Sequence, residues 1–237
     1  MQYLGLDGCR SGWFYIGLNL DQTWCFGTLN TFAEIQTLRH GQQQILVDIP
    51  IGLRDVNPTE RLCDLEARKL LKPKRSSSIF PAPVRSVLEV QDYQQASQEN
   101  YRCSGRKLSK QTWNILPKIR EVDQYLQSRP GEETIRESHP EVCFWALNGQ
   151  KIIEHSKKTE LGLKQRLQVL SKYCPDAAQI FATARQEYRK SQVADDDIVD
   201  ALVCAVTSSQ KSLVTLPLQP EMDSTGLVME IVHTGLL

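Results

Sequence analysis

Between Ile198 and Val206 the chain reads IVDALVCAV, and the only polar side chain in that stretch is Asp200. At 3.6 residues per turn such a helix is apolar on nearly every face, so it has to be enclosed on all sides. A chain that buries a whole helix must supply other layers to cover it. The rest of the sequence offers strands for that purpose.

Tyr3 to Asp7, Trp13 to Leu20 and Thr23 to Leu29 are rich in β-branched and aromatic residues and are separated by Gly8, Ser11-Gly12 and Asp21-Gln22. They predict an antiparallel meander. Thr31-x-x-Glu34 predicts a capping box opening a helix to Leu38, and Ile45 to Ile49 predicts a buried strand stopped by Pro50. Asn57-Pro58-x-Glu60 predicts a helix to Leu71, followed by a loop from Lys72 to Arg85 and helices over Gln91 to Arg102 and Pro117 to Gln127. Thr134 to Glu137 reads as a strand ended by Pro140, with helices over Thr159 to Tyr173, Asp176 to Lys190 and Asp195 to Ser208. The expectation is a mixed α/β sheet flanked by helices. With 237 residues, near the upper limit of one hydrophobic core, it is expected to form a single domain over residues 1–237, with a basic helical insertion at 54–130.

Charge is neutral in total, 28 Lys/Arg against 28 Asp/Glu, but unevenly placed. From Arg54 to Arg120 there are 14 basic and 7 acidic residues, whereas from Ser191 to the end 7 acids face the single base Lys211. That asymmetry suits a polyanion held by one part and cations by another, and equally suits solvated helix faces. Seven scattered cysteines without a C-x-x-C pair argue against zinc knuckles and a disulfide framework, and predict reduced thiols in a cytoplasmic protein. No run approaches the roughly 18 apolar residues of a membrane span, and Asp7 and Arg10 stand where a signal peptide would be apolar.

The acids are the chemical signal. Asp7 closes one apolar strand, Asp48 interrupts another and Glu137 ends a third, at the sheet edge where α/β proteins place their sites. Singly each is a turn or capping acid; together, desolvated, they call for a cation or basic partners. Asp195 and Asp196 fit the acidic first turn of a helix, but Asp197 and Asp200 share a face with Ala201 and Cys204, small residues that permit close approach to a sheet. Convergent carboxylates suit Mg²⁺ or Mn²⁺, singly or as a two-ion site for phosphodiester cleavage, and suit zinc poorly. His139 is a proton-transfer or a helix-capping residue.

Gly5-x-Asp7-Gly8-Cys9-Arg10-x-Gly12-Trp13, Asp48-Ile49-Pro50-Ile51-Gly52-Leu53, Ser78-x-Phe80-Pro81-Ala82-Pro83-x-Arg85, Pro117 to Asp123 (PKIREVD), Glu137-Ser138-His139-Pro140-Glu141 and Asp197-x-x-Asp200-Ala201-Leu202 run in order along most of the chain. In combination they resemble a largely uncharacterised family of predicted ribonuclease-H-like nucleases. The resemblance implies a ribonuclease H-like fold, with a five-stranded sheet in the order 3-2-1-4-5 and a divalent-metal site. The Asp7 strand and the Asp197-x-x-Asp200 helix are also similar to RuvC-type resolvases, which implies Asp7, Asp48, Asp197 and Asp200 as metal ligands. Asp48 is one carbon shorter than the usual glutamate, and Glu137 has no clear metal-binding counterpart. Pro140, Lys158, Gly162 and Arg166 loosely follow the resolvase turn and phosphate-contacting helix.

The leading expectation is therefore a Mg²⁺/Mn²⁺-dependent nuclease in which Asp7, Asp48, Glu137, Asp197, Asp200 and His139 are catalytic. Arg10, Arg68, Arg85, Lys118, Arg120 and Lys158 are expected to bind substrate phosphate, or else to pair with nearby acids. Trp13 and Trp113 stack on bases or belong to the core. The alternatives are an actin-like phosphoryl-transfer enzyme, suggested by Asp7-Gly8-x-x-x-Gly12, and a non-catalytic nucleic-acid or protein-binding module. The expected partner is a nucleic acid or nucleotide, with no membrane; a homodimer is left open.

Overall fold

A computed structural model describes residues 1–39, 43–56, 60–132 and 134–235. Along the chain run β1 (Tyr3–Cys9), β2 (Gly12–Leu18), β3 (Trp24–Leu29), a 3-10 helix (Phe32–Leu38), β4 (Gln44–Val47), α1 (Leu62–Leu70), α2 (Tyr93–Ser104) and α3 (Lys110–Gln127). Then follow β5 (Ile135–Glu137), α4 (Pro140–Leu147), α5 (Glu160–Leu170), α6 (Ala177–Glu187), α7 (Asp195–Ser208), β6 (Leu213–Met222) and β7 (Val228–Thr234). The five-stranded sheet has the order β3-β2-β1-β4-β5, as expected for a ribonuclease H-like fold, and β6 and β7 form a separate ribbon. β1, β2 and β3 pair antiparallel, while β4 and β5 run parallel to β1. Among the described residues, no helix is long and apolar enough to cross a membrane.

The chain divides into two compact units. One holds residues 1–49, 133–214 and 232–237, and the other residues 50–132 and 215–231. In the first, the predicted buried helix is α7, enclosed from Ile198 to Ser208. It lies directly on β1 because Gly5 has no side chain. A Cβ there would stand 2.1 Å from the Ala201 carbonyl oxygen and 2.2 Å from the Ala205 nitrogen. Phe14, Ile16, Leu46, Cys143, Phe144 and Val203 belong to the surrounding core. Trp13 is fully buried and packs edge-on against Phe32 at 5.1 Å, so it is a core residue and not a base-stacking one.

Local chemistry moves several predicted boundaries. The segment after Thr31 is 3-10 rather than α-helical: the Thr31 side chain makes no cap bond, although Glu34 accepts from the Asn30 N–H at 3.0 Å. Asn57 and Pro58, the predicted start of α1, lie outside the described residues. Pro117 does not open a helix but sits inside α3, which starts at Ser109, whose hydroxyl oxygen accepts from the Thr112 N–H at 3.0 Å. In the second unit, fifteen Lys/Arg accompany thirteen Asp/Glu, because Glu221 and Asp223 of the acidic tail fold with the basic segment.

Candidate metal centre

Register brings the acids together. Leu6 pairs with Val47 in the parallel ladder, and the Asp48 N–H continues it by donating to the Leu6 carbonyl at 3.0 Å. The next step sets Asp48 beside Asp7. Alternation puts Asp7 on the same face as Gly5, the face covered by α7. One turn back from the Gly5 contact on α7 stands Asp200. One ligand atom each from Asp7, Asp48 and Asp200 lies within 4.8 Å of the others. Asp7 and Asp48 are half-buried, whereas Asp200 is 1% exposed.

The cluster is short of compensating charge. Burial pushes the carboxyl of Asp7 well above its ordinary range, and Asp48, Asp200 and Asp197 push it further. Burial followed by Asp200 does the same to Asp48, with a smaller contribution from Glu137. Asp200 is raised by burial, partly offset by Lys157. Burial also lifts Asp197 to about 6, against the lowering effect of the Ala194 N–H that its Oδ2 accepts at 2.8 Å. Asp200 Oδ1 is buried with no hydrogen-bond partner. An orphaned carboxylate oxygen beside two converging carboxylates is the hard-oxygen environment that Mg²⁺ and Mn²⁺ select.

Of the other expected site residues in this unit, Glu137 is buried at the end of β5, level in register with Val47, the residue before Asp48, and acts on Asp48 electrostatically. His139 is the N-cap of α4, where Nδ1 accepts from the Glu141 N–H at 3.2 Å, which is the capping role. Arg10 and Lys158 are exposed. Arg166 is fully buried and donates to Glu141 at 2.5 Å and to the His155 and Gly162 carbonyls, so it is a structural cation and not a phosphate contact.

In the second unit, Arg68 pairs with Glu60, Arg85 with Asp123 at 2.8 Å and with Asp223, and Arg120 donates to the Leu88 carbonyl at 2.6 Å. Lys118 is half-buried on α3. Arg85 is thus held between two carboxylates, one of them from the acidic tail.

The residue that sequence reasoning missed is Lys157. Its Nζ pairs with Asp200 Oδ2 and lies 3.8 Å from Asp196 Oδ2. Burial lowers the proton affinity of this ammonium, but Asp200, Asp7 and Asp48 outweigh that and hold it firmly charged. The Lys157-Lys158 pair before α5 marks a basic loop, yet nothing in it says which lysine turns inward. No curated protein and no solved structure matches this chain. A family model described as "Protein of unknown function (DUF429)" matches residues 5–220, and the chain belongs to that family.

Proposed function

We propose that this protein is a divalent-metal-dependent phosphodiesterase acting on nucleic acid or a nucleotide. The observation that carries the reading is the meeting of Asp7, Asp48 and Asp200 within 4.8 Å, with an Asp200 oxygen left buried and unpartnered. These three carboxylates would hold Mg²⁺ or Mn²⁺, with Asp197 and Glu137 shaping the field around them. When bound, such an ion supplies Lewis acidity and a water acidified for attack on phosphorus. Glu137, whose charge acts on Asp48, would orient that water, and Lys157 would hold Asp200 in position. Of the cations expected from sequence to bind phosphate, Arg10 and Lys158 are exposed in the same unit and would meet a substrate phosphate.

A small phosphodiester is favoured over a long polymer by one further observation. Arg54, Arg61, Arg68, Arg85 and Arg106 are all paired with acids of their own unit, so five of that unit's fifteen Lys/Arg are not available to grip a nucleic-acid backbone. Free thiols at Cys25, Cys103, Cys143, Cys174 and Cys204 fit a reducing, cytoplasmic setting. The test is hydrolysis of junction, hybrid, single-stranded and small phosphodiester substrates with Mn²⁺, alongside Asp7→Asn. Metal-dependent cleavage reduced by on the order of 10³-fold in the variant supports the proposal; cleavage untouched by Asp7→Asn, or no cleavage of any substrate, removes it.

A further inference from the structure

We propose that the acidic centre takes a single divalent ion and that the ammonium of Lys157 fills the place a second ion would have. This rests on the metal reading above and goes beyond it, because the same carboxylates on sequence grounds fit a two-ion site equally well.

The division of oxygens carries the argument. Two ions about 4 Å apart need a carboxylate that offers one oxygen to each, and further carboxylates at both ends. Asp200 is the deepest acid of the centre, yet its Oδ2 is taken by Lys157 and only Oδ1 is left without a partner. Asp197 is the acid expected to complete a second position. Its Oδ2 is committed to the Ala194 N–H at the start of its own helix, and it does not belong to the group whose ligand atoms meet within 4.8 Å. Asp196 also lies 3.8 Å from Lys157 Nζ. The space between Asp196 and Asp200 is therefore already occupied by a positive charge. A dication placed there would stand beside an ammonium at contact distance and be repelled by it.

Charge count agrees. Within the group whose ligand atoms meet, Asp7, Asp48 and Asp200 set against Lys157 leave two negative charges, the number one divalent ion balances, while Asp196 and Asp197 stand outside that group. The lysine side chain is 36% exposed, so it reaches the centre from the solvent side, where it can also meet a substrate phosphate.

The test is Mn²⁺ titration of the full chain by calorimetry, with electron paramagnetic resonance of the bound ion. One Mn²⁺ per chain with an uncoupled spectrum is expected for the native protein and for Lys157→Arg. Lys157→Met, and Lys157→Gln as a second variant checked for folding by circular dichroism, are expected to bind two ions with a spin-coupled spectrum. Two coupled ions in the native protein overturn the inference, as does a single ion in both neutral variants. Zero ions in the native protein and one in Lys157→Met would mean that the ammonium occupies the ion's own place, which also overturns it. Failure of the metal reading itself looks different: no specific Mn²⁺ in any of these proteins, or the same binding after Asp7→Asn.

Discussion

The two units treat buried charge in opposite ways. In the unit of residues 50–132 and 215–231, the buried Arg61, Asp64 and Asp123 each have an assigned opposite. Arg61 and Asp64, both 2% exposed in their side chains, form a forked pair at 3.0 and 2.6 Å. Arg85 is shared by Asp123 and Asp223, and Glu60 by Arg68 and Arg106. In the other unit, Glu141 and Arg166 follow the same rule, but beside them three carboxylates converge on a single lysine. Balanced burial needs nothing beyond the fold. Unbalanced burial weakens the fold, and it persists where a ligand of opposite charge is part of the working state.

If that contrast is sound, the largest effect comes from breaking a balanced pair. Arg61→Ala would leave Asp64 buried without its partner and would strip donors from the Ile51 and Gly52 carbonyls, bonded now at 3.0 and 3.2 Å. A loss of about 3–5 kcal/mol is expected from urea unfolding. Replacing both partners by apolar residues, Arg61→Met with Asp64→Leu, is expected to recover most of it. A single variant as stable as the native protein would show that pairing in this unit is incidental.

The unbalanced centre predicts the reverse sign and a smaller size. Asp7→Asn removes one of three crowded like charges and is expected to stabilise the metal-free protein by about 1–3 kcal/mol. The pH dependence follows from the direction of the shifts. A carboxyl raised in the folded state contributes stability that is complete below its ordinary value and is lost as pH rises through the raised one. For Asp197 that loss spans 3.8 to about 6, and for Asp7 it runs upward from the same ordinary value in the same direction. The advantage of Asp7→Asn over the native protein should therefore be small near pH 4 and widen toward neutrality. Mn²⁺ should erase it by stabilising the native protein alone. Thermal melts across pH with and without Mn²⁺ measure both, and a native protein that is the more stable of the two at neutral pH without metal would mean that Lys157 already balances the centre.

What the sequence reveals of this arrangement depends on how local the physics is. Helix α7 is readable to its end residues because an all-apolar segment behind three acids has one solution, and the meander is readable from the polar turn residues around Ser11 and at Asp21-Gln22. Helix α4 is hidden since PEVCFWAL is too uniformly apolar to show a period and begins at a proline that also ends the preceding strand. The β6–β7 ribbon is hidden by Pro217 and Pro220, which argue against a strand but are tolerated in a two-stranded ribbon with unpaired edges. Asp7, Asp48 and Asp200 stand out because a carboxylate in an apolar run is anomalous wherever it falls. Lys157 does not, because its partner lies 43 residues away and an exposed-looking lysine is ordinary. The same holds for Glu221 and Asp223, which count as an acidic tail until folding sets them against Arg54 and Arg85.

The smallest expected effect sharpens the contrast most, because it separates pairing from burial. Arg102 and Glu99 make a forked pair at 2.9 and 2.8 Å, and Ser86 also donates to the same carboxylate at 2.7 Å, so the geometry equals that of Arg61 and Asp64. These bonds hold the Glu99 carboxyl down to about 2. Yet the Arg102 side chain is 70% exposed, and water takes over its hydrogen bonds when the partner is lost. Arg102→Ala is expected to leave the urea midpoint within error of the native value at neutral pH. A clear loss there would mean that forked geometry stabilises this protein irrespective of depth, and the uneven charge at the strand ends would then have to be explained without appeal to desolvation.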